Sequence, residues 1–327
     1  MLAVEHLEKS FGQQKVVHDL QLHISKGSVY GFIGPNGAGK TTTMKMIAGL
    51  LPPDCGSIYI DGEKMQKEDS GWKRKIGYMP DFFGVYDNLK VKEYLEFYAS
   101  LYGMVGREVS RNCNNLLELV HLEENQDSFV DTLSRGMKQR LCLARCLVHD
   151  PVLLILDEPA SGLDPRSRYE MKEIIRELAQ RKKTIMISSH LLPDLAKMCD
   201  SMGIMERGRM VLSGGVEEIL KRAREDSFIT IKVLERQEDA VAVLKENPRV
   251  ESLAIRKNQF RMHFAGDEKE ESELLATLVA KNIPVLDFAK ENGNLEELFI
   301  QLTKGQEVME IDGIHKPDLI ERNESWS

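Results

Sequence analysis

The sequence predicts an α/β fold with a mainly parallel sheet, followed by a smaller α+β unit. From residue 1 to about 220, short β-rich runs alternate with segments of helical periodicity, which is the order of elements in an α/β layer. The clearest strands are 28–33, 152–156 and 184–188, and they are apolar along most of their length, as strands covered on both faces are. A phosphate-binding motif after the first of these strands supports the same fold.

Composition and charge limit the class of protein. The 327 residues are 42% hydrophobic and 29% charged, with a net charge of −8, which argues against a general attraction to nucleic acid or anionic lipid. The longest aliphatic run, 152–156, is far shorter than the roughly 18 residues that span a bilayer. The first residues lack the apolar stretch of a secretory signal. We therefore expect a cytosolic protein without a spanning segment or a nucleic-acid partner.

Periodicity predicts the elements between and after these strands. Apolar and aromatic residues recur at spacings of three and four over 91–102, and β-rich runs are lacking from about 82 to 147. This pattern predicts a helical insertion at about 82–147. Two short β-rich runs, 203–206 and 209–212, flank an Arg-Gly pair and predict a hairpin.

The rest of the chain predicts a second, smaller unit. The expected order is strand, helix, strand, strand, helix, strand, helix, at 228–233, about 238–246, 250–255, 259–265, about 269–282, 285–289 and about 294–303. The first six elements match a ferredoxin-like domain. We therefore predict a first domain at 1–222 and an α+β domain at 223–305. The segment 306–327 holds six acidic and two basic residues, and we expect a disordered acidic tail there.

The segment GPNGAGKT at 34–41 fits the phosphate-loop pattern G-x-x-x-x-G-K-[ST]. Its glycines let backbone N–H groups turn toward phosphate oxygens, and the next helix presents its positive end to the same anion. Lys40 supplies a cation for the β- and γ-phosphates of ATP, and the Thr41 hydroxyl can join the shell of Mg²⁺. The residues expected to bind nucleotide here are Gly34, Pro35, Asn36, Gly37, Ala38, Gly39, Lys40, Thr41 and Thr42.

Two carboxylates follow the strand at 152–156. Because side chains alternate along a strand, Asp157 and Glu158 point in different directions and can do different work. Asp157 is expected to hold Mg²⁺, through water. Glu158 is expected to orient the water that attacks the γ-phosphate, or to accept its proton.

With these motifs in place, residues 1–220 resemble the ATPase cassettes of ABC transporters. Leu133-Ser134-Arg135-Gly136-Met137 is similar to the family's LSGGQ signature, and 161–164 is similar to its D-loop, which places Asp164 at a dimer interface. His190 resembles the catalytic switch histidine, and Phe11 stands where the family stacks an aromatic ring on adenine. The resemblance implies a P-loop NTPase cassette with a helical subdomain and an ATPase activity that needs ATP and Mg²⁺.

The signature implies a partner. Ser134 is a good N-cap, so its hydroxyl and the Gly136 N–H form a second anion-binding helix end. In the family this end meets the γ-phosphate held by the other subunit. The resemblance therefore implies a second cassette, identical or related, bound head to tail around two Mg-ATP.

The sequence departs from the family pattern at three residues. Asp81 stands where the family has a glutamine, and it is a possible Mg²⁺ ligand that adds negative charge beside the triphosphate. Arg135 and Met137 replace Gly and Gln of the signature. Neither replacement removes the Ser134 hydroxyl or the Gly136 N–H.

The resemblance also implies a membrane partner. Phe82, Phe83 and Tyr86 follow Asp81 in the region through which the family contacts a membrane subunit, although core packing explains such rings as well. The subclass resembles cassettes that serve separate ABC-2-type permeases, often exporters, at the cytoplasmic face of the membrane. The alternative is a soluble ABC ATPase that acts on ribosomes or DNA. The second domain can be a regulatory sensor or a dimerisation module.

Overall fold

A computed structural model of the chain describes residues 1–66, 71–81, 84, 88–189, 195–225 and 228–291. Its central sheet has six strands in the order β10-β9-β3-β8-β7-β6. The strands are β3 (Val29–Ile33), β6 (Ile76–Met79), β7 (Leu153–Leu156), β8 (Thr184–Ser189), β9 (Ser201–Glu206) and β10 (Arg209–Gly215). Neighbours from β6 to β9 are parallel, and β10 pairs antiparallel with β9. The predicted parallel sheet and hairpin are confirmed.

A second sheet was not predicted. It is antiparallel, has the order β2-β1-β4-β5, and consists of β1 (Leu2–Phe11), β2 (Gln14–Ile24), β4 (Cys55–Ile60) and β5 (Glu63–Lys64). Buried and exposed residues alternate over parts of β1 and β2, because one face packs on the core and the other meets solvent. The prediction of a mainly parallel sheet for the first unit is thus confirmed by the central sheet, and this antiparallel sheet is an addition to it.

Helices connect and cover these sheets. The first, α1 (Lys40–Ile47), follows β3 and shares an apolar core with both sheets. Three helices, α2 (Val91–Leu101), α3 (Arg107–Leu119) and α4 (Arg135–Leu147), lie in the segment predicted to be helical. The next helix, α5 (Pro165–Gln180), connects β7 to β8. Short 3₁₀ turns occupy Gly71–Lys75, Glu123–Asn125 and Val130–Thr132.

The C-terminal unit has its own sheet and apolar core. After α6 (Val216–Glu225), the elements are β11 (Phe228–Val233), α7 (Gln237–Glu246), β12 (Val250–Arg256), β13 (Gln259–Phe264), α8 (Glu268–Ala280) and β14 (Val285–Glu291). The sheet order is β12-β13-β11-β14 with all pairs antiparallel, which confirms the ferredoxin-like fold. The predicted helix at 294–303 and the tail at 306–327 lie outside the described residues. The domain boundaries stay predictions.

Among the helices in the described ranges, none has both the length and the apolar composition needed to cross a bilayer.

Candidate active site

The phosphate loop lies between β3 and α1, where the motif predicts it. Two of its glycines have no room for a side chain. A Cβ at Gly34 would lie 2.4 Å from the carbonyl oxygen of Met205. Gly39 has a φ of +106° and faces the carbonyl oxygen of Val16, 2.9 Å from where its Cβ would stand. The loop is therefore held against β2 and β9.

Lys40 turns back over the loop. Its Nζ donates hydrogen bonds to the carbonyl oxygens of Gly34 at 2.6 Å and Pro35 at 3.2 Å. Burial lowers the pKa of Lys40, and the negative charges of Glu158 and Asp157 oppose that shift. A triphosphate in the loop adds more negative charge, so it favours the charged lysine.

A cavity of about 200 Å³ opens above the loop. Its lining joins the phosphate loop to two of the predicted carboxylates and consists of Val16, Asn36, Gly37, Ala38, Gly39, Lys40, Thr41, Thr42, Asp81 and Glu158. The structure thus brings Asp81 and Glu158, which are distant in sequence, to the same cavity as Lys40. Val16 belongs to none of the sequence motifs and reaches the cavity from β2 of the antiparallel sheet.

Asp157 and Glu158 follow the last residue of β7 and occupy different environments. Asp157 is 1% exposed; its Oδ1 accepts a hydrogen bond of 2.7 Å from Ser188 Oγ, and its Oδ2 has no partner among the described residues. Glu158 is half-buried, has a left-handed φ of 50°, and lines the cavity. One carboxylate therefore lies inside the fold and the other reaches the cavity.

The signature residues form the start of α4. Ser134 caps the helix, and its Oγ accepts a hydrogen bond of 3.3 Å from the Met137 N–H. Gly136 is buried against α5, where a Cβ would lie 2.5 Å from Ser167 Oγ. The described residues that line the phosphate-loop cavity do not include Ser134 or Gly136.

The D-loop lies beside the signature in the same chain. The Arg135 guanidinium covers Gly162, where a Cβ would lie 2.5 Å from Nη2, and donates a hydrogen bond of 3.4 Å to the Ser161 carbonyl oxygen. Asp164 caps α5 and accepts from the N–H groups of Arg166 and Ser167. The hydrogen bond from the Ser167 hydroxyl lowers the pKa of Asp164.

Known proteins resemble this chain in sequence and in fold. The family model of the ABC transporter domain matches residues 17–161, and that of the C-terminal domain of DrrA1-3-like ATP-binding proteins matches 214–303. The linearmycin resistance ATP-binding protein LnrL of Bacillus subtilis is 33% identical over 305 residues, which are 93% of this chain and 98% of that protein. The chain belongs to the ABC transporter ATP-binding proteins.

Other relatives of this ABC protein support the assignment. The Nod factor export ATP-binding protein I of Burkholderia orbicola is 35% identical over 310 residues, which are 93% of this chain and 97% of that protein. A solved ATP-binding subunit of an ABC transporter is 32% identical, with a TM-score of 0.62, over 68% of this chain and 92% of that one. A dimeric cassette in a post-hydrolysis state with ADP and Pi shares the fold at 23% identity, with a TM-score of 0.60, over 66% of this chain and 99% of that one. The ABC protein binds nucleotide and is an ATPase.

Some predicted site residues of the ABC protein are not among the described residues that line the cavity, and others lie outside the described residues. Phe11 ends β1 at a hairpin and is 51% exposed, and it is not among the described residues that line the cavity. His190 lies outside the described residues, as do Phe82, Phe83 and Tyr86. The roles of these residues stay predictions.

Ser188 is a further residue at this site that the sequence motifs do not include. This residue is fully buried at the carboxyl end of β8, and it contacts both Asp157 and Glu158. The signal available in the sequence was a serine in an apolar strand that precedes His190 by two positions.

Proposed function

We propose that the chain binds Mg-ATP between two cassettes, hydrolyses it, and drives a separate membrane permease in export. The observation that supports this proposal is that, among the described residues of one chain, the phosphate loop and the signature residues do not line the same cavity. The phosphate loop, Asp81 and Glu158 share one cavity, while the signature end of α4 is not among its described lining residues. A second cassette that supplies its own signature completes the site.

The residues present fit a magnesium ion. Asp157 Oδ2 is buried without a hydrogen-bond partner among the described residues, and a buried carboxylate oxygen in that state is costly unless a cation or its water satisfies it. Thr41 and Asp81 line the cavity beside the loop. Thr41 and Asp157 would hold the ion, with Asp81 as a further oxygen ligand. Bound Mg²⁺ neutralises charge on the β- and γ-phosphates.

The other roles follow from position. Lys40 leaves the two loop carbonyls and binds the β- and γ-phosphates, while the loop N–H groups bind the same oxygens. Glu158 reaches the cavity from the end of β7 and accepts the proton of the attacking water, or orients that water. Phe11 offers an exposed ring for adenine, and His190 contacts the γ-phosphate.

A head-to-tail dimer gives the signature its function. The Ser134 hydroxyl and the Gly136 N–H lie at the positive end of α4, so they bind the γ-phosphate held by the partner cassette. Asp164 and the rest of the D-loop lie next to this helix end and belong to the same interface. Two ATP molecules thus connect two copies of the chain, or the chain and a related subunit.

The names of the relatives favour a function in transport. One relative's name refers to linearmycin resistance and another's to Nod factor export, and both cover nearly the whole chain. The C-terminal match is to DrrA1-3-like proteins. We therefore propose an ABC-2-type permease as the separate membrane partner, with the cassette held at the cytoplasmic face through it.

The substitution Glu158→Gln tests the hydrolysis and the dimer together. This variant is expected to bind ATP normally, to lose turnover by a factor of about 100 or more, and to elute as a dimer with Mg-ATP but as a monomer with ADP. Light scattering after gel filtration gives the mass. Lys40→Ala is the matched control, because it should lose nucleotide binding and stay monomeric. Normal ATPase activity of Glu158→Gln would remove Glu158 from its role.

Copurification tests the partner. A tagged chain extracted from membranes in mild detergent is expected to bring down a polytopic protein, at a ratio of two cassettes per transporter. Recovery with ribosomes or DNA instead would support a soluble ABC ATPase and contradict transport.

A further inference from the structure

Ser188 connects the two carboxylate residues of the site. Its Oγ donates a hydrogen bond of 2.7 Å to Asp157 Oδ1 and accepts one of 2.9 Å from the Glu158 N–H. We propose that Ser188 is a positioning residue that sets the metal-facing oxygen of Asp157 and the backbone of Glu158 at once. This inference rests on the roles proposed above for Asp157 and Glu158.

The direction of each hydrogen bond follows from the groups themselves. The Glu158 N–H can only donate, so the Ser188 oxygen accepts there. The single hydroxyl hydrogen of Ser188 is then left for Asp157 Oδ1, which as a carboxylate oxygen can only accept. Both bonds lie inside the protein, where Ser188 is fully buried.

The bond to Asp157 selects which oxygen is offered to the metal. Oδ1 is engaged by Ser188, while Oδ2 is buried without a partner among the described residues. Rotation of the carboxylate would exchange the two oxygens, and the hydrogen bond from Ser188 opposes that rotation. Outer-sphere hydrogen bonds of this kind orient metal ligands and affect metal affinity by factors of about 10 to 100.

The hydrogen bond from the Glu158 N–H stabilises an uncommon backbone conformation. Glu158 has a φ of 50°, a conformation that costs free energy for any residue other than glycine. Its N–H binds Ser188 Oγ, and its carbonyl oxygen accepts from the Ser161 N–H at 3.0 Å. Ser188 therefore helps to hold the turn that sends the Glu158 side chain toward the cavity.

The strand register explains why this position can act on both residues. β7 and β8 are parallel with Leu156 opposite Ile187, so the next residues along the two strands are neighbours. An apolar residue at 188 would suit the buried strand, but it could make neither bond. A serine without partners would instead be costly in this interior.

The test compares Ser188→Ala with Ser188→Thr, which keeps the hydroxyl and suits a strand. In Ser188→Ala, the Mg²⁺ concentration for half-maximal ATPase activity is expected to rise about tenfold, within the range for lost outer-sphere bonds, and kcat is expected to fall. The binding of fluorescent ATP in EDTA should change less than about twofold, since the nucleotide then binds without the metal. Ser188→Thr should restore the Mg²⁺ dependence.

Thr184→Val is the matched control. Thr184 lies on the same strand, is 1% exposed, and accepts a hydrogen bond of 2.9 Å from the Gly27 N–H through its hydroxyl. It is four residues from Ser188, about 13 Å along the strand. Thr184→Val measures the effect of removing a buried hydroxyl from β8 without a change beside the carboxylates. This variant should leave the Mg²⁺ dependence unchanged.

If Ser188→Ala does not fold, as judged by circular dichroism and thermal unfolding, Ser188→Cys replaces it, because a thiol keeps the size but is a weak donor. The inference would be overturned if the Ser188 variant had the same Mg²⁺ dependence as the natural protein. It would also be overturned if Thr184→Val changed the Mg²⁺ dependence by the same amount. Asp157→Asn and Glu158→Gln are measured in parallel. If those two stay active, the proposed function fails; if they are inactive while the Ser188 variants are normal, only the role of Ser188 fails.

Discussion

Arg135 stands where the family signature has a glycine, and it contacts the D-loop of its own chain. Its guanidinium lies on Gly162, which has a φ of 65°, and donates to the Ser161 carbonyl oxygen. A glycine at 135 could make neither contact. The arginine therefore joins two segments, the signature and the D-loop, that both face the partner cassette in the proposed dimer.

Replacing Arg135 by glycine tests whether this contact matters for turnover. Arg135→Gly is expected to bind ATP normally and to lose about 3- to 10-fold in kcat, which corresponds to a coupling of about 0.6–1.4 kcal/mol. Steady-state ATPase rates and nucleotide titration separate the two quantities. Arg166→Ala, which removes a side chain that is 89% exposed on α5, should keep full activity. Equal kcat values for Arg135→Gly and the natural protein would show that the contact has no part in turnover.

The places of the phosphate loop between β3 and α1 and of the two carboxylates after β7 could be predicted, because motif spacing fixes them relative to these elements. Val16 and Ser188 could not be predicted. Each enters the site through a contact between segments that are far apart in sequence, and neither belongs to a motif. Residues that position the reacting groups depend on the packing of the whole fold, which a local pattern does not contain.

At the level of elements, Arg140 ties three helices together. The side chain belongs to α4 and is 8% exposed. Its Nη1 donates to the Val120 and His121 carbonyl oxygens after α3, and its Nη2 lies 3.4 Å from Glu170 of α5. Burial lowers the pKa of Arg140, and Glu170 opposes that shift. The carbonyl groups after α3 thus obtain partners that solvent does not supply.

Removal of this guanidinium is expected to destabilise the helical segment. Arg140→Met keeps the apolar stem and leaves the two carbonyl oxygens without their donor, at a cost of about 1–3 kcal/mol in the free energy of unfolding. Urea unfolding followed by circular dichroism gives the difference. Arg166→Ala is the control, since it also removes a partner of Glu170, at 3.0 Å, but from an exposed position, where the cost is about 0.5 kcal/mol or less. Equal losses in the two variants would contradict the role of Arg140.

The strands differ in how well the sequence predicts them. The central strands β3 and β7 are buried along their whole length, and an unbroken apolar run identifies them. In β1 and β2 the burial alternates and is interrupted by irregular pairing, so the period of two is lost within each strand. The sequence pattern therefore does not predict the antiparallel sheet, although Val16 of this sheet lines the phosphate-loop cavity.

At the level of the whole molecule, the chain combines a nucleotide-binding cassette with a ferredoxin-like unit that has a separate apolar core. In the proposed dimer, each cassette supplies both halves of a phosphate site. Asn36 lies in the phosphate-loop cavity and Thr132 lies two residues before Ser134, and both are exposed. In the proposed head-to-tail dimer, we expect residue 36 of one cassette to face the region of residue 132 of its partner.

Crosslinking between two variants tests this arrangement. Asn36→Cys and Thr132→Cys are made separately, each with Glu158→Gln to retain ATP and with Cys55→Ser to remove an exposed thiol. A two-fold dimer that joins different surfaces should give a covalent dimer with a bis-maleimide only when the two variants are mixed and Mg-ATP is present. Either variant alone should stay uncrosslinked, since residue 36 does not lie opposite residue 36 of the partner, and residue 132 does not lie opposite residue 132. Lys257→Cys, exposed on the turn between β12 and β13, replaces Thr132→Cys as the control. Crosslinking of one variant by itself, or the same yield without ATP, would mean that the two cassettes meet through another surface.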